Sequence, residues 1–294
     1  MTGKRRIRLV ALDLDRTLLT RTGEISTADA AALKGLYARG VEIALASGRM
    51  TDSIRPVADR LGIDAPISAY NGARVTDSRR RGSRVIFAKN LPARYGDELI
   101  DYARENHFHL NYYVDDVLYA VDDPTLRKYA DLYAGHTGSV YHFVPDLAVF
   151  KGKDPTKIIL ITDPSAPGDR NPRGRDELYE VWKARWDEEV TIQKTNPEYL
   201  EFMNRDVDKG VGLAALAEAL GVPQEEVMAF GDAMNDAPML KWAGVGVAVA
   251  NADDIAKAAA DYVAPETNDE SAVARSIEAL VEMERDRSDR AAGL

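Results

Sequence analysis

Two rhythms of apolar residues alternate along the chain. Short unbroken apolar runs read as strands buried on both faces, and longer stretches with apolar positions every three to four residues read as amphipathic helices. Residues 7–12 are the first such run, interrupted only by Arg8, and it ends in Asp13-Leu14-Asp15. Residues 23–26 read as a loop, and Thr27 is placed to cap a helix over 28–39 that Gly40 ends. Residues 41–46 form a second run, leading into Ser47-Gly48-Arg49; Pro56 predicts that the next helix starts late or bends. Residues 65–70 make a third strand ending at Asn71-Gly72. Residues 74–76 and 84–88 bracket a basic tip, 77–82, which reads as a solvated hairpin end.

From about Leu91 the composition changes. Ten of the 13 tyrosines fall between Tyr95 and Tyr199, and all four histidines between His107 and His142. The alternation continues there, with helices over 92–106 and 124–133, a strand pair over 109–121, a strand at 157–162, a loop over 164–172 and a helix at 174–186. Residues 190–194 and 199–203 read as closing strands. The tyrosines read as sheet packing, and His107-x-His109 as exposed strand positions rather than a metal pair, since no third ligand is near.

The first pattern then resumes. Lys209-Gly210 opens a helix to Leu220, closed by Gly221 with Pro223 after it. A strand at 227–230 ends in Gly231-Asp232-Ala233-Met234-Asn235-Asp236, and a helix follows to about Trp242. Residues 246–250 are a strand and 253–260 a helix; Thr267-Asn268-Asp269-Glu270 caps a last helix over 271–284. Strands alternating with helices at both ends, around a differently composed insert, predict an α/β protein: one doubly wound parallel sheet carrying an inserted α/β cap. The expected division is a core over 1–90 and 196–294, with the cap at 91–195.

The net charge of −10 leaves no general basic field for nucleic acid and makes any phosphate site depend on local cations. The chain has no cysteine, which excludes disulfides and thiolate chemistry and fits a cytoplasmic location. No apolar run approaches a membrane span, and Asp13 and Asp15 cut the first run too early for a secretory signal. No nucleotide-binding glycine fingerprint follows a strand.

Four element ends offer matched chemistry: Asp13 with Asp15, Ser47, Lys209, and Asp232 with Asp236. In an extended chain, carboxylates two apart point the same way, and a cation between them relieves their repulsion. Carboxylates and waters suit Mg²⁺, while a hydroxyl and an ammonium suit phosphate oxygens. Together these groups make a phosphoryl-transfer set.

At this point the chain resembles a known family. Asp13-Leu14-Asp15-Arg16-Thr17-Leu18-Leu19, Ala46-Ser47-Gly48-Arg49, Lys209-Gly210 and Gly231-Asp232-Ala233-Met234-Asn235-Asp236 are similar to the four motifs of the haloacid dehalogenase superfamily of phosphatases. Asn71-Gly72, the insert's position and Thr267-Asn268-Asp269-Glu270 resemble its Cof-type branch. The resemblance implies a Mg²⁺-dependent phosphatase of small phosphorylated metabolites, sugar phosphates foremost, with the insert as a lid. Asp13 would be the nucleophile and Asp15 the acid and base. Ser47, Lys209, Asn235 and Asn71 would hold phosphate. Mg²⁺ would be held by Asp13, the Asp15 carbonyl and Asp232, with Asp236 behind them. Arg16 departs from the family's usual glycine, and its side chain is expected to point to solvent. A phosphoryl transferase or mutase of the same superfamily, or a phospho-accepting receiver, are the alternatives. The expected partner is the small substrate alone, with neither nucleic acid nor membrane, and the expected assembly a monomer or homodimer.

Overall fold

The computed structural model describes residues 4–77, 84–162 and 174–282. The basic tip beyond Asp77, the loop predicted at 164–172 and the end of the last helix lie outside them. In chain order the first elements are β1 (Leu9–Leu12), α1 (Thr27–Tyr37), β2 (Glu42–Ala46), α2 (Thr51–Leu61), β3 (Ile67–Ala69), β4 (Arg74–Asp77) and β5 (Arg84–Ala88). The insert contributes α3 (Ala93–Asn106), β6 (His109–Val114), β7 (Val117–Val121), α4 (Arg127–Thr137), β8 (His142–Val144), β9 (Lys157–Ile161), α5 (Arg175–Trp186), β10 (Val190–Lys194) and β11 (Tyr199–Asn204). The chain closes with α6 (Lys209–Leu220), β12 (Val227–Gly231), α7 (Ala237–Trp242), β13 (Val245–Ala248), α8 (Asp254–Ala259), β14 (Tyr262–Val263) and α9 (Ala272–Leu280).

These elements build two sheets. The larger has the order β14-β13-β12-β1-β2-β3-β4-β5. From β14 to β3 the neighbours are parallel, and β4 turns back antiparallel to β3. All four residues of β1 are buried, as a strand with neighbours on both sides and helical crossovers must be. Leu12 lies opposite Phe230 on one side and Leu45 on the other. The chain therefore leaves β1 between the carboxyl ends of β2 and β12, where the winding of the sheet reverses and α/β proteins collect their chemistry.

Local chemistry sets the helix ends. Ser26, not Thr27, caps α1, its hydroxyl accepting from the Asp29 amide at 3.0 Å. Asp208 caps α6 by accepting from the Val211 amide, and Gly221 closes that helix at φ 62°. Helix α2 starts at Thr51 and runs through Pro56, so the predicted late start is not observed. The bond the proline forgoes is only the one to the first-turn carbonyl of Asp52.

Residues within Met1–Gly48, Ile54–Phe87 and Asp208–Leu294 form one compact unit, and those within Arg49–Ser53 and Ala88–Val207 the other. The boundary expected at 195/196 moves to 207/208. Strand β11 lies beyond position 195 yet pairs with β10 and β9 in the second sheet, β10-β11-β9-β6-β7-β8. Alternate residues of β6, β9 and β11, among them Tyr112, Leu160 and Phe202, face a core with Leu99 of α3 and Trp182 and Trp186 of α5. The opposite face carries His109, Asn111, Tyr113, Lys157 and Glu201, all buried. Several of its polar groups pair with one another: Lys157 Nζ lies 3.3 Å from Glu201 Oε2, and the Tyr113 hydroxyl donates to that of Tyr133 at 2.8 Å.

The two histidines of the His-x-His pair do not converge. His107 takes a left-handed conformation at the end of α3 and bonds Thr125, whereas His109 is buried against Asn111 at 2.9 Å rather than exposed. Burial pushes the His109 imidazole down to about 4, so it is neutral inside this unit.

Candidate active site

The site lies wholly within the first unit, at the carboxyl ends of β1 and β12 and the first turn of α6. Asp13 follows β1 directly and is 6% exposed. Lys209, 1% exposed at the start of α6, donates to Asp13 Oδ1 at 2.6 Å and also to Asp236 Oδ1. Asp236 reaches back across its own loop, its Oδ2 accepting from the Asp232 and Ala233 amides at 3.0 and 2.9 Å. Gly231 permits this return: a Cβ there would stand 2.4 Å from the Asp236 Cβ. The loop thus turns tightly enough to present Asp232 and Asp236 to the same space as Asp13.

Carboxylate oxygens of Asp13, Asp232 and Asp236 all lie within 4.8 Å of one another. One ammonium stands among three buried carboxylates, and the electrostatics record the shortfall. Burial, then the Asp236 charge, push Asp13 up to about 8 against the pull of Lys209. Burial and Asp236 push Asp232 up to about 6, opposed by Thr17, Arg16 and Lys209. Burial alone would strip Lys209 of its proton, but Asp13 and Asp236 more than offset it and hold the group above the ordinary lysine range. A buried pocket of hard oxygen donors with excess negative charge fits a small divalent cation. Asp236 has both oxygens engaged, so Asp13 and Asp232 are the side chains placed to take one.

The other expected residues are arranged around this cluster. The Asp15 carboxylate is outside the acidic cluster; the residue is exposed, on the tight turn that follows β1. Ser47 is buried just past β2; its amide donates to the Ser68 carbonyl at 2.9 Å and its carbonyl accepts from the Asn71 amide at 3.0 Å. Asn71 stands left-handed, φ 50° and ψ 38°, and its Oδ1 accepts from Asn235 Nδ2 at 3.0 Å. Gly72 lets this turn dock on the start of α6, where a Cβ would come 2.1 Å from the Asp208 carbonyl oxygen. The turn of β3 and the lysine of α6 are therefore positioned by one backbone contact.

Two residues hold Asp232 in ways the sequence reading missed. Thr17, fully buried, donates from Oγ1 to Asp232 Oδ1 at 3.0 Å; its spacing four residues after Asp13 was the available signal. Arg16 is largely exposed, as expected, yet its guanidinium also reaches back to the site. Its Nε lies 3.6 Å from Asp232 Oδ2 and its Nη2 donates to the Asn251 carbonyl at 3.0 Å. Asn251 Nδ2 returns a bond to the Arg16 carbonyl at 2.8 Å. Among the described residues, no helix is long and apolar enough to cross a membrane.

Comparison with known proteins agrees with this geometry. A profile described as haloacid dehalogenase-like hydrolase matches residues 10–277. The 5-amino-6-(5-phospho-D-ribitylamino)uracil phosphatase YitU of Bacillus subtilis is 30% identical, over 91% of this chain and 95% of its own. The pyridoxal phosphate phosphatase YbhA of Escherichia coli is 29% identical, over 87% and 92%. A crystal structure of a Thermotoga maritima protein superposes with a TM-score of 0.81 at 33% identity, over 94% of this chain and 98% of that one. With an acidic cluster on the central strand ends and an α/β insert in the chain between the strands of its larger sheet, this chain belongs to the haloacid dehalogenase-like hydrolases.

Proposed function

We propose that the chain is a Mg²⁺-dependent phosphatase that hydrolyses small phosphorylated metabolites through a phosphoryl group carried on Asp13. The observation that carries this reading is the buried Lys209 ammonium, shared between Asp13 and Asp236 at the end of the central strand, with Asp232 beside them. An ammonium so placed keeps Asp13 oriented and offsets the charge of an incoming phosphate.

In the first step an Asp13 oxygen attacks phosphorus, the ester P–O bond breaks, and Asp15 gives its proton to the departing oxygen. In the second, Asp15 takes a proton from water, the water oxygen attacks phosphorus, and the Asp13–phosphorus bond breaks to release phosphate and restore the carboxylate. The exposed turn position of Asp15 suits both exchanges, since the leaving group departs and water arrives on the solvent side. Ser47 and Lys209 hold phosphoryl oxygens, and the Asn71–Asn235 pair flanks them. Mg²⁺ would be held by the Asp13 and Asp232 carboxylates with the Asp15 carbonyl, where it supplies charge neutralisation of the carboxylates and the phosphoryl oxygens.

The relatives named above are phosphatases of a phosphoribitylamino-uracil and of pyridoxal phosphate, both small phosphorylated compounds. Sugar phosphates head the substrate classes proposed for this chain. A phosphatase screen over a metabolite panel, with and without Mg²⁺ and with Asp13→Asn as control, tests the reading. Mg²⁺-dependent release of phosphate that the variant loses supports it; equal release by the folded variant refutes it.

A further inference from the structure

Arg16 stands where the chain departs from the motif it otherwise matches. It pays for the departure in backbone strain, since at φ 63° it holds a left-handed conformation that glycine adopts freely. The side chain that glycine would lack makes specific contacts there. Asp232 is 3% exposed with Oδ1 committed to Thr17, so Oδ2 is the oxygen left for a cation, and the Arg16 Nε lies 3.6 Å from it. The guanidinium does not drift there by chance. Its Nη2 is tied to the Asn251 carbonyl while Asn251 Nδ2 holds the Arg16 carbonyl, a two-way clasp between the turn after β1 and the loop after β13. Asn251 is itself fixed, its Oδ1 accepting from the Asn268 amide at 2.9 Å, and Asn268 Nδ2 bonds the Leu19 carbonyl at 2.8 Å.

We propose that Arg16 is a built-in competitor of the divalent cation: guanidinium and metal contend for Asp232 Oδ2, so residue 16 sets the cation concentration at which the site loads. The inference rests on the metal site of the proposed function. A permanent charge on a clasped side chain cannot be titrated away, and a dication reaching Asp232 must work against it. The Arg16 side chain is 66% exposed, so water screens the interaction and the effect is modest. Exposed ion pairs of this kind correspond to roughly two- to fivefold in an equilibrium constant. Arg16 acts through Asp232 and is a positioning residue.

The test is Mg²⁺ binding to the whole protein by isothermal titration calorimetry, without substrate, for the wild type, Arg16→Gln, Arg16→Lys, Arg16→Gly and Asp232→Asn. Arg16→Gln removes the charge and keeps a side chain at the strained position; Arg16→Gly removes both and relaxes the backbone. The expected result is Mg²⁺ binding roughly two- to fivefold tighter in Arg16→Gln and Arg16→Gly, and between these and the wild type in Arg16→Lys, which keeps the charge but loses the clasp, with the activation constant for Mg²⁺ in turnover falling in parallel. Equal or weaker binding in both uncharged variants, while Asp232→Asn loses the binding, overturns the role of Arg16 and leaves the metal site standing. Undiminished binding by Asp232→Asn overturns the metal site and the inference together.

Discussion

Asp236→Asn changes one oxygen for one nitrogen at a position 1% exposed, and the structure states what that nitrogen would meet. Asp236 accepts from three donors: Lys209 on Oδ1, and the amides of Asp232 and Ala233 on Oδ2. An asparagine amide has one acceptor oxygen and one donor nitrogen. Turned one way, its nitrogen faces the Lys209 ammonium; turned the other, it faces two backbone N–H groups. Removing one partner of a buried ion pair costs about 3–5 kcal/mol. Here Lys209 keeps Asp13, and the loss of one like charge relieves the repulsion that lifts Asp13 and Asp232. The net destabilisation is therefore about 2–3 kcal/mol. That corresponds to a fall in Tm of about 5–10 °C by differential scanning calorimetry at fixed pH and Mg²⁺ concentration. Turnover should fall about 10- to 100-fold, because the lysine beside the nucleophile has lost its second anchor. A variant that melts within a degree of the wild type with unchanged kcat/KM would refute the reasoning, since no orientation of the amide satisfies all three donors.

Two further outcomes follow from other parts of the molecule. His109 is buried and neutral, held down at about 4 against an ordinary value of 6.5, so the unfolded chain takes up its proton first as pH falls. Its share of stability is present above pH 6.5 and lost between pH 6.5 and 4; at pH 5 the loss is about 2 kcal/mol. Denaturation profiles of wild type and His109→Gln should converge with acid by that amount between pH 7 and 5, and parallel profiles would contradict it. Asn71 is left-handed, so Asn71→Ala should be less stable than Asn71→Gly by about 1–2 kcal/mol in urea melts. Both variants lose the Asn235 partner, so their kcat values should fall together; equal stabilities would show that the turn carries no strain.

The larger sheet was legible because buried parallel strands announce themselves as apolar runs, and β1, β2 and β12 all do. The shortest edge strands do not: β8 and β14 have three and two residues, too few for either rhythm, and the sequence pattern assigned neither. The end of the insert was misjudged at 195 because only pairing, β11 against β9 and β10, assigns that strand to a sheet. Within the site, residue type and strand-end position pointed to Asp13, Lys209, Asp232 and Asp236, which the fold brings together. Sequence could not say that Asp236 spends both oxygens on Lys209 and its own loop, or that Thr17 orients Asp232, because those are facts of direction. Arg16 is largely solvated, as an arginine on a turn ordinarily is, but its contact with Asn251, 235 residues away, was not legible in the sequence.

The central claim is that Asp13 accepts the phosphoryl group. It is tested most directly by acid-quenching the enzyme during turnover of a substrate found in the metabolite panel and mapping phosphate onto peptides by mass spectrometry. The account predicts a phosphoryl group on the peptide containing Asp13, labile to hydroxylamine and absent from Asp13→Asn, which remains folded and inactive. Steady turnover by the wild type with the label on another residue, or a fully active Asp13→Asn, would contradict it.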